Sequence, residues 1–499
     1  MASAALQYCM GLFLTLLYIL AAYLAPETLY GSLAEYHIQI VIAFLALVTS
    51  LPSLQRISLG SIPQSYALIG MCIGVLMSFI FNGLTGLAPS AVLDFLPNAF
   101  TFFLVALNFR TKRHLQLLIF VLVAACFFTI YMGYTAILAG NLNSPYLMTA
   151  HDAAVPFSRL RGLDFISDPN DFSQLLVSVI PLLFFLWIPK SFPRNFFFVL
   201  IPAGILLFGL FLTHSRGGIV AFLAVVIIGV RRRIGTIPSL ITGGVLFAVS
   251  TAIGWSGGRE ISVESGSDRM EAWSTGLQLL KSHPLFGVGF QRFSEYFIIT
   301  AHNTVVVCAA ELGTFGLFFW VMFILPTVRD VVVAGETGKS KEQLAIEEQK
   351  MTPFELALAA RAAEVNKAQA EFQNAYNEPA APPNTPAASG NVPSVAIPYF
   401  ADKEATSELP EEELRRLARL LMLSLTGFLV AGWFLSRAYV MTLFLYGGMV
   451  QVIYELALKQ GIVPERMGIP RVLRLSAIWV VALITVVYIM LRVQNLMPH

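Results

Sequence analysis

Long apolar runs separated by short polar stretches recur along most of the chain. An α-helix needs roughly 20 apolar residues to cross a bilayer, and most of these runs approach that length. The pattern predicts an all-α, polytopic membrane protein with about 12–14 transmembrane helices. The candidate spans are 5–25, 37–53, 66–83, 91–108, 115–138, 172–189, 195–213, 217–230, 236–254, 303–326, 417–435, 438–456 and 474–491.

The composition supports a membrane protein. Charged residues make up 12% of the chain and the mean hydropathy is +0.72, whereas a soluble domain carries about 25% charged residues. The net charge of +2 is too small to indicate nucleic acid as a partner. The first apolar run lacks a basic segment before it, so we expect an uncleaved helix. All four cysteines fall inside apolar runs and are expected to pack there without disulfides.

Basic residues in the short loops predict the orientation, with the N-terminus in the cytoplasm. The loops 139–171 and 255–302 then face outward, whereas 327–416 lies inside. This inner segment combines charged helices with a Pro/Ala linker, and we expect either a solvated insertion or a docking surface for a cytoplasmic protein partner. The predicted parts are the N-terminal membrane helices 1–138, a core with both outer loops 139–326, the insertion 327–416, and the C-terminal membrane helices 417–499.

Arginine is strongly favoured over lysine on the predicted outer side, where Lys281 is the one lysine. Arginine binds phosphate oxygens bidentately and keeps its charge at any physiological pH. The skew indicates an anionic ligand at the membrane surface, for which a lipid-linked phosphate is the natural choice. Pairing with acidic residues on the same side is the alternative for any single arginine. The outer arginines are Arg159, Arg161, Arg216, Arg259, Arg269, Arg292, Arg437 and Arg492.

The stretch "THSRGG", residues 213–218, places His214, Ser215 and Arg216 between two apolar runs. Gly217 and Gly218 would let the backbone approach a ligand closely and open its amides. A helix beginning here would also present a partly positive N-terminus to an anion. We therefore predict a phosphate-binding corner; a tight turn capped by Ser215 is the alternative.

His302 and Asn303 stand at the entry to the span 303–326. A helix N-terminus disfavours the imidazolium, and a neutral imidazole can act as a general base. The alternative is an interfacial histidine that caps the helix. Glu311 lies about two turns into the apolar run, where a carboxylate is functional by default, and we expect it to orient an arginine.

Three further patterns lie in the outer loops. Asp164, Asp168 and Asp171 lack a His or Glu partner at helical spacing, so capping by Asp171 or Asn170 is favoured and no metal site is expected. The apolar stripe of the helix 268–281 suits the membrane face, with Trp273 as an interfacial anchor. "HPLFGVGF" predicts a Pro/Gly turn and, without a preceding strand, no nucleotide fingerprint.

Three segments of residues 159–326 resemble the superfamily of O-antigen ligases and O-antigen polymerases: "RGLDFISDPNDFSQLL", "LTHSRGGIVAFL" and "DRMEAW…HPLFGVGF…HNTVVVCAAELGTFGL". The resemblance implies a metal-independent glycosyltransferase of GT-C-like architecture that requires no cofactor. Its donor would be a glycan on undecaprenyl diphosphate. By analogy His302 activates the acceptor hydroxyl, with Asn303 and Glu311 in support. The diphosphate would be bound by Arg161, Arg216 and Arg269, together with Arg159, His214 and Ser215.

The same resemblance implies a multi-pass protein of the bacterial inner membrane, in contact with membrane lipids, whose active site faces the periplasm. Ligation to a lipid A core, polymerisation with a second lipid-linked repeat, and transfer to a protein remain open. A lipid-linked glycan transporter is disfavoured, because the charged residues collect at the outer face instead of lining mid-membrane positions.

Overall fold

The computed structural model describes residues 2–34, 38–56, 59–150, 157–255, 263–336 and 409–496, and within them regular structure is almost entirely helical. Two short strands, β1 (Leu147–Ala150) and β2 (Phe157–Leu160), pair antiparallel with Leu147 opposite Leu160. The longer helices are α1 Ala2–Leu24, α2 Ile38–Ser50, α3 Pro63–Ile80, α4 Ala88–Asn108, α5 Lys112–Leu138, α6 Pro169–Val179, α7 Ile201–Leu212, α8 Arg216–Ile234, α9 Thr236–Ala252, α10 Val263–Ser282, α11 Thr304–Gly335, α12 Glu411–Gly432, α13 Met441–Lys459 and α14 Ile469–Leu496. Shorter helical segments are Pro26–Leu29, Gly31–Ala34, Leu51–Arg56, Leu59–Ser61, Asp164–Ile166, Pro181–Leu186, Phe192–Asn195, Phe196–Leu200 and Phe293–Glu295.

Each predicted span coincides with helical structure, which confirms the all-α, polytopic class. By length and composition, nine helices among the described residues can cross a membrane, fewer than the predicted 12–14. The difference has two causes. The apolar helices α2 and α9 are short, and arginines at one end shorten the apolar part of α8 and α12.

Helix α11 lies at the centre of the bundle, where it packs against α3, α10, α12, α13 and α14. Large apolar side chains cover the outer surface as well as the core; Phe120 is 64% exposed and Ile237 is 73% exposed. A soluble protein rarely exposes so much contiguous apolar surface, whereas lipid chains solvate it. The exposure pattern therefore agrees with a protein that spans a membrane.

Helix α11 is interrupted at Gly313, where φ is 66°. The predicted turn 283–290 fills this break and supplies backbone partners: the Val288 amide donates to the Ala310 carbonyl at 3.0 Å, and the Thr314 amide donates to the Pro284 carbonyl at 2.8 Å. A broken helix within a membrane requires such partners for its freed backbone groups. The prediction of a Pro/Gly turn is confirmed. The turn supplies hydrogen-bond partners to α11 at its kink and is held there by them.

Helix α10 packs against the protein rather than lying on the membrane face. The Trp273 side chain is 6% exposed, and its indole nitrogen donates to the Ala301 carbonyl at 2.7 Å. The prediction of an interfacial anchor is therefore wrong. The apolar stripe of α10 is buried against the start of α11, because the loop before His302 returns over it.

The predicted insertion 327–416 lies for the most part outside the described residues, as does Arg259. The described residues up to Gly335 and from Glu411 onward form one compact unit. Helix α11 continues to Gly335, further than the predicted span 303–326. Helix α12 begins at Glu411, within one of the charged helices that the sequence predicts in the insertion. Lys112, at the start of α5, pairs with Glu413 at 2.6 Å, which joins two segments predicted to lie on the inner side.

Candidate functional site

Ser215 caps the N-terminus of α8, as the alternative interpretation of "THSRGG" predicted. Its hydroxyl accepts from the Gly218 amide at 3.1 Å and donates to Asn170 Oδ1 at 2.8 Å. A Cβ on Gly218 would lie 2.8 Å from Ser173 Oγ. The expectation that Gly218 opens its amide to a ligand is therefore wrong. Because Gly218 has no side chain, α8 can pack closely against Ser173 of α6. Arg216 is the first residue of α8.

Arg159 ties strand β2 to this corner. Its side chain is 6% exposed, with Nε donating to the Thr213 carbonyl at 2.9 Å and Nη2 to Asn170 Oδ1 at 3.0 Å. Asn170 thus accepts from both Arg159 and Ser215. Arg161 lies two residues further along, where its Nε donates to the Pro145 carbonyl at 3.0 Å. Arg159 therefore holds β2 against residues 213–218, whereas Arg161 lies nearer the surface.

His214 occupies the left-handed region, with φ of 48°. Its Nδ1 lies 2.9 Å from the Trp255 carbonyl oxygen, and its ring packs edge-on against Phe157 with centroids 4.8 Å apart. Trp255, just after α9, and Phe157, in β2, therefore hold the imidazole beside the α8 N-terminus.

Asp168, rather than Asp171 or Asn170, caps α6, because the helix begins at Pro169, earlier than predicted. The Asp168 carboxylate accepts from the Asn170 amide at 2.7 Å. Asp171 is 5% exposed and forms an ion pair with Arg437. Its role is thus to hold an arginine from a distant part of the chain.

Arg437 is the principal site residue that the sequence did not single out among the outer arginines. It belongs to the segment 433–440, which joins α12 to α13, and its backbone amide donates to Thr304 Oγ1 at 3.3 Å. Burial alone would lower the pKa of Arg437, but Asp171, Asp168 and Asp164 raise it. The sequence feature that could have identified Arg437 is its position in the short connection between the predicted spans 417–435 and 438–456.

His302 lies between this segment and α10. Its backbone amide donates to Ser436 Oγ at 2.8 Å, and its φ is 46°. Burial lowers the pKa of His302, and the positive charges of Arg269 and Arg437 lower it further, while Asp168 opposes them. All three charges act on the imidazole, and its neutral form is favoured by burial and by the arginines.

Asn303 caps α11, which removes the alternative that His302 is the capping residue. The Asn303 Oδ1 atom accepts from the amides of Val305 and Val306 at 3.0 and 3.1 Å. Its Nδ2 donates to the Trp433 carbonyl at 3.2 Å. Asn303 thereby fixes the start of α11 against the segment 433–440 and orients the backbone at His302.

Glu311 binds backbone, contrary to the expectation that it orients an arginine. It is 4% exposed, and its Oε1 accepts from the Phe293 amide at 3.2 Å. The carboxyl group therefore holds the loop that follows the turn 283–290. The kink at Gly313, which the sequence did not reveal, places the turn close enough for this contact.

Two cavities meet at Arg437. The apolar groove, of about 320 Å³, is lined by Thr304, Val305, Trp320, Val321, Ile324, Leu325, Val328, Phe428, Leu429, Gly432, Trp433, Arg437, Trp479 and Leu483. The polar cavity, of about 270 Å³, is lined by Asn98, Phe165, Gln291, Phe293, Ser294, Thr300, Val307, Glu311, Ser436, Arg437, Tyr439 and Val440.

Of the predicted site residues, Arg269 acts on His302 through its charge, which lowers the pKa of the imidazole. Arg159, Ser215 and Arg216 lie in the neighbouring corner, which α6 links to Arg437. Two outer arginines have local partners instead: Arg292 pairs with Glu295, and Arg492 donates to the Tyr488 hydroxyl. These features define a polytopic helical membrane protein. Its candidate site combines the imidazole of His302 with several arginine side chains.

Residues 201–321 match the protein family described as O-antigen ligase. The match confirms the resemblance to the O-antigen ligase and polymerase superfamily over a segment that contains Arg216, Arg269 and His302. No curated protein matches the chain. The matched domain indicates a glycosyltransferase of the ligase or polymerase type, acting in polysaccharide biosynthesis within a multi-pass membrane protein.

Proposed function

We propose that this protein transfers a glycan from undecaprenyl diphosphate to an acceptor hydroxyl at the periplasmic face of the bacterial inner membrane. The observation that carries the proposal is that Ser436, next to Arg437, anchors the backbone of His302. The charges of Arg269 and Arg437 also act on its imidazole. A neutral base next to fixed positive charges suits a reaction in which a hydroxyl loses its proton while a phosphate leaving group gains negative charge.

In the proposed step the acceptor oxygen attacks the anomeric carbon and its proton passes to His302. The bond between the anomeric carbon and the diphosphate oxygen breaks, and undecaprenyl diphosphate leaves. Arg216 and Arg269, with Arg161 nearer the surface, stabilise the charge on the leaving group through bidentate hydrogen bonds. Arg159, His214 and Ser215 hold this corner in place, while Asn303 and Glu311 support the base and its loop. Since guanidinium groups supply the positive charge, we expect transfer to proceed without an added metal ion.

The apolar groove supports a lipid-linked donor. Its walls come from α11, α12, α14 and the segment 433–440, and among the described residues that line it the one with a charge is Arg437, which also lines the polar cavity. An isoprenoid chain matches the apolar walls, and a diphosphate at its head complements the guanidinium. We assign the groove to the first isoprene units of the donor.

The test is transfer by purified protein in lipid nanodiscs, supplied with an undecaprenyl-diphosphate glycan and candidate acceptors, with product masses as the readout. We expect His302→Gln to lower kcat by roughly 10²–10⁴, the usual contribution of a general base. Arg216→Lys and Arg269→Lys should also impair transfer, because lysine lacks the bidentate geometry. Arg492→Lys is the matched control, as this outer arginine contacts Tyr488 away from the site. Full transfer by His302→Gln would overturn the base assignment.

The products also decide between the related reactions. A single added glycan on lipid A core indicates ligation, a ladder of repeats on the lipid carrier indicates polymerisation, and a modified polypeptide indicates transfer to protein. A chelator such as EDTA should leave the rate unchanged. Movement of intact donor across vesicles without a new glycosidic bond would contradict the proposal and favour a transporter.

A further inference from the structure

A pocket lined by three arginines lies at the end of α8 remote from the candidate site. The described residues that line it belong to α8, α9 and α12, and its volume is about 470 Å³. Arg231 and Arg232 line it from α8, and Arg419 lines it from α12. Arg216 begins α8 and Arg231 lies in its last turn, which separates the two by roughly 22 Å along the helix axis. This basic pocket is therefore separate from the proposed site of glycan transfer.

The arginines of the basic pocket are tethered by uncharged groups. Arg231 Nε donates to Thr236 Oγ1 at 3.2 Å, and Arg419 Nη1 donates to the Gly335 carbonyl at 3.1 Å. Among the charges that act on Arg419, the strongest is that of Arg232, which is also positive. The packing of α8 against α12 thus brings like charges together, which is unfavourable unless an anion lies between them.

The carboxylates at the start of α12 do not neutralise this cluster. Glu411 and Glu413 each pair with an arginine about one turn further along α12. Glu412 acts on Arg419 through its charge, but less than each of three neighbouring arginines does. No carboxylate among the described residues forms an ion pair with an arginine of the basic pocket. The pocket therefore keeps a positive charge that suits an anionic ligand.

The basic pocket lies where the polar and apolar parts of two helices meet, on the side predicted to face the cytoplasm. In α8 the apolar run 217–230 ends directly before Arg231, whereas in α12 the charged residues come first and the apolar run follows. Ile228, Met422 and Leu423 accordingly supply apolar walls. In a bilayer the phosphate groups of lipids occupy this boundary, with the acyl chains on its apolar side.

Exposed apolar side chains continue from the pocket along α8 and α9. Ile228, in the lining, is 38% exposed. Leu240 follows Thr236 by one helical turn, so it lies on the same side of α9, and it is 56% exposed. An acyl chain gains from covering such a surface, whereas a soluble phosphate does not. The surroundings of the pocket therefore favour a phospholipid as its ligand.

We propose that the basic pocket binds the headgroup of an anionic membrane phospholipid, whose acyl chains lie along α8 and α9. Arg232 and Arg419 bind the phosphate oxygens from two different helices, in the bidentate geometry that guanidinium groups favour. The volume of the pocket falls within the range of roughly 300–1,000 Å³ typical of ligand sites, which admits the glycerol of the headgroup as well as the phosphate. The lipid neutralises the cluster and joins α8 to α12. Lipid binding here is independent of glycan transfer.

The test is native mass spectrometry of the purified full-length protein in a neutral detergent, titrated with phosphatidylglycerol or with phosphatidylcholine of the same acyl chains. We expect the wild type to bind phosphatidylglycerol roughly five-fold more tightly or better. Arg232→Gln and Arg419→Gln should each weaken that binding roughly five-fold, the contribution of one basic residue near an anionic lipid. Equal affinity of the wild type for the two lipids would overturn the proposal.

Arg233→Gln is the matched control. Arg233 belongs to the same basic run and loses the same charge, but it does not line the basic pocket. If Arg233→Gln weakens binding as much as Arg232→Gln does, the arginines act only through the overall charge of this side, and the inference fails. Because Arg232 is exposed, Arg232→Gln should fold normally even if Arg419→Gln, which loses the bond to Gly335, does not.

The deacylated headgroup distinguishes a lipid from a soluble phosphate. Glycerophosphoglycerol carries the phosphodiester of phosphatidylglycerol without its acyl chains. We expect it to bind roughly ten-fold more weakly or worse, because the apolar surface of α8 and α9 then stays uncovered. If it binds as tightly as phosphatidylglycerol, the ligand is a soluble phosphate and the assignment to a phospholipid is wrong.

Discussion

The ion pair between Asp171 and Arg437 joins α6 to the connection between α12 and α13, and its loss should be measurable. The change Asp171→Asn keeps the side-chain size and removes the charge. Asp171 has 5% of its side chain exposed and Arg437 has 32%. Removing one partner of a buried pair costs about 3–5 kcal/mol. Because Arg437 is partly solvated and Asp168 and Asp164 remain nearby, we expect a loss of about 2–3 kcal/mol of unfolding free energy.

A double-mutant cycle isolates this interaction. Arg437→Met removes the guanidinium and leaves an apolar side chain, so the double variant contains no uncompensated charge at either position. It should therefore be less destabilised than the sum of the single variants, with a coupling energy of about 1–3 kcal/mol. The unfolding of purified protein in mixed micelles, followed by tryptophan fluorescence against denaturant at neutral pH, provides the four free energies.

The salt bridge between Lys112 and Glu413 is the matched control for this cycle. Its side chains are 25% and 21% exposed and lie 2.6 Å apart, and pairs near the surface are typically worth less than about 1 kcal/mol. The cycle Lys112→Met with Glu413→Gln should therefore show weak coupling. Equal coupling in the two cycles, or additive effects of Asp171→Asn and Arg437→Met, would refute the argument that the pair organises the site.

Two further predictions concern the base and the kink. Because Arg269 helps lower the pKa of His302, Arg269→Gln should raise it and move the acid limb of the kcat/KM profile to higher pH; an unmoved limb contradicts the base assignment. The lowered pKa also predicts that stability falls as pH drops below about 6.5, where the unfolded chain takes up the proton first. At Gly313 φ is 66° and an added Cβ would overlap backbone atoms of the turn 283–290, so alanine there should cost about 3 kcal/mol or more in thermal unfolding. Gly244→Ala, with open space around it, should not destabilise the protein.

Local signals in the sequence predicted where two helices begin at the candidate site. Ser215, before Arg216 and two glycines, indicated a helix start, and the structure begins α8 at Arg216 with Ser215 as its cap. His302 and Asn303 indicated the start of α11 for the same reason. These predictions succeed because helix caps depend on a few neighbouring residues. The capping prediction at α6 was wrong by a few residues, since Asp168 and Asp171 are both suitable caps and only packing selects one.

The remaining features depend on contacts between residues far apart in the chain. In the sequence nothing distinguishes Arg437 from the other predicted outer arginines. In the folded chain α6 places Asp171 against it, although the two residues are 266 positions apart. Likewise, Glu311 in an apolar run indicates function but not its partner. The partner is the Phe293 amide, which the kink at Gly313 brings within reach.

Hydropathy and helix capping are local properties, so the printed residues were enough to predict the membrane-spanning class, the order of the helices and the residue types available for phosphate and proton chemistry. The folded arrangement was needed to show which arginines act on His302, which carboxylate holds Arg437, and which groups line the two cavities. Those choices follow from the packing of α6, α11 and the segment 433–440 against one another. Packing between distant segments is a property of the folded chain that no short stretch of sequence encodes.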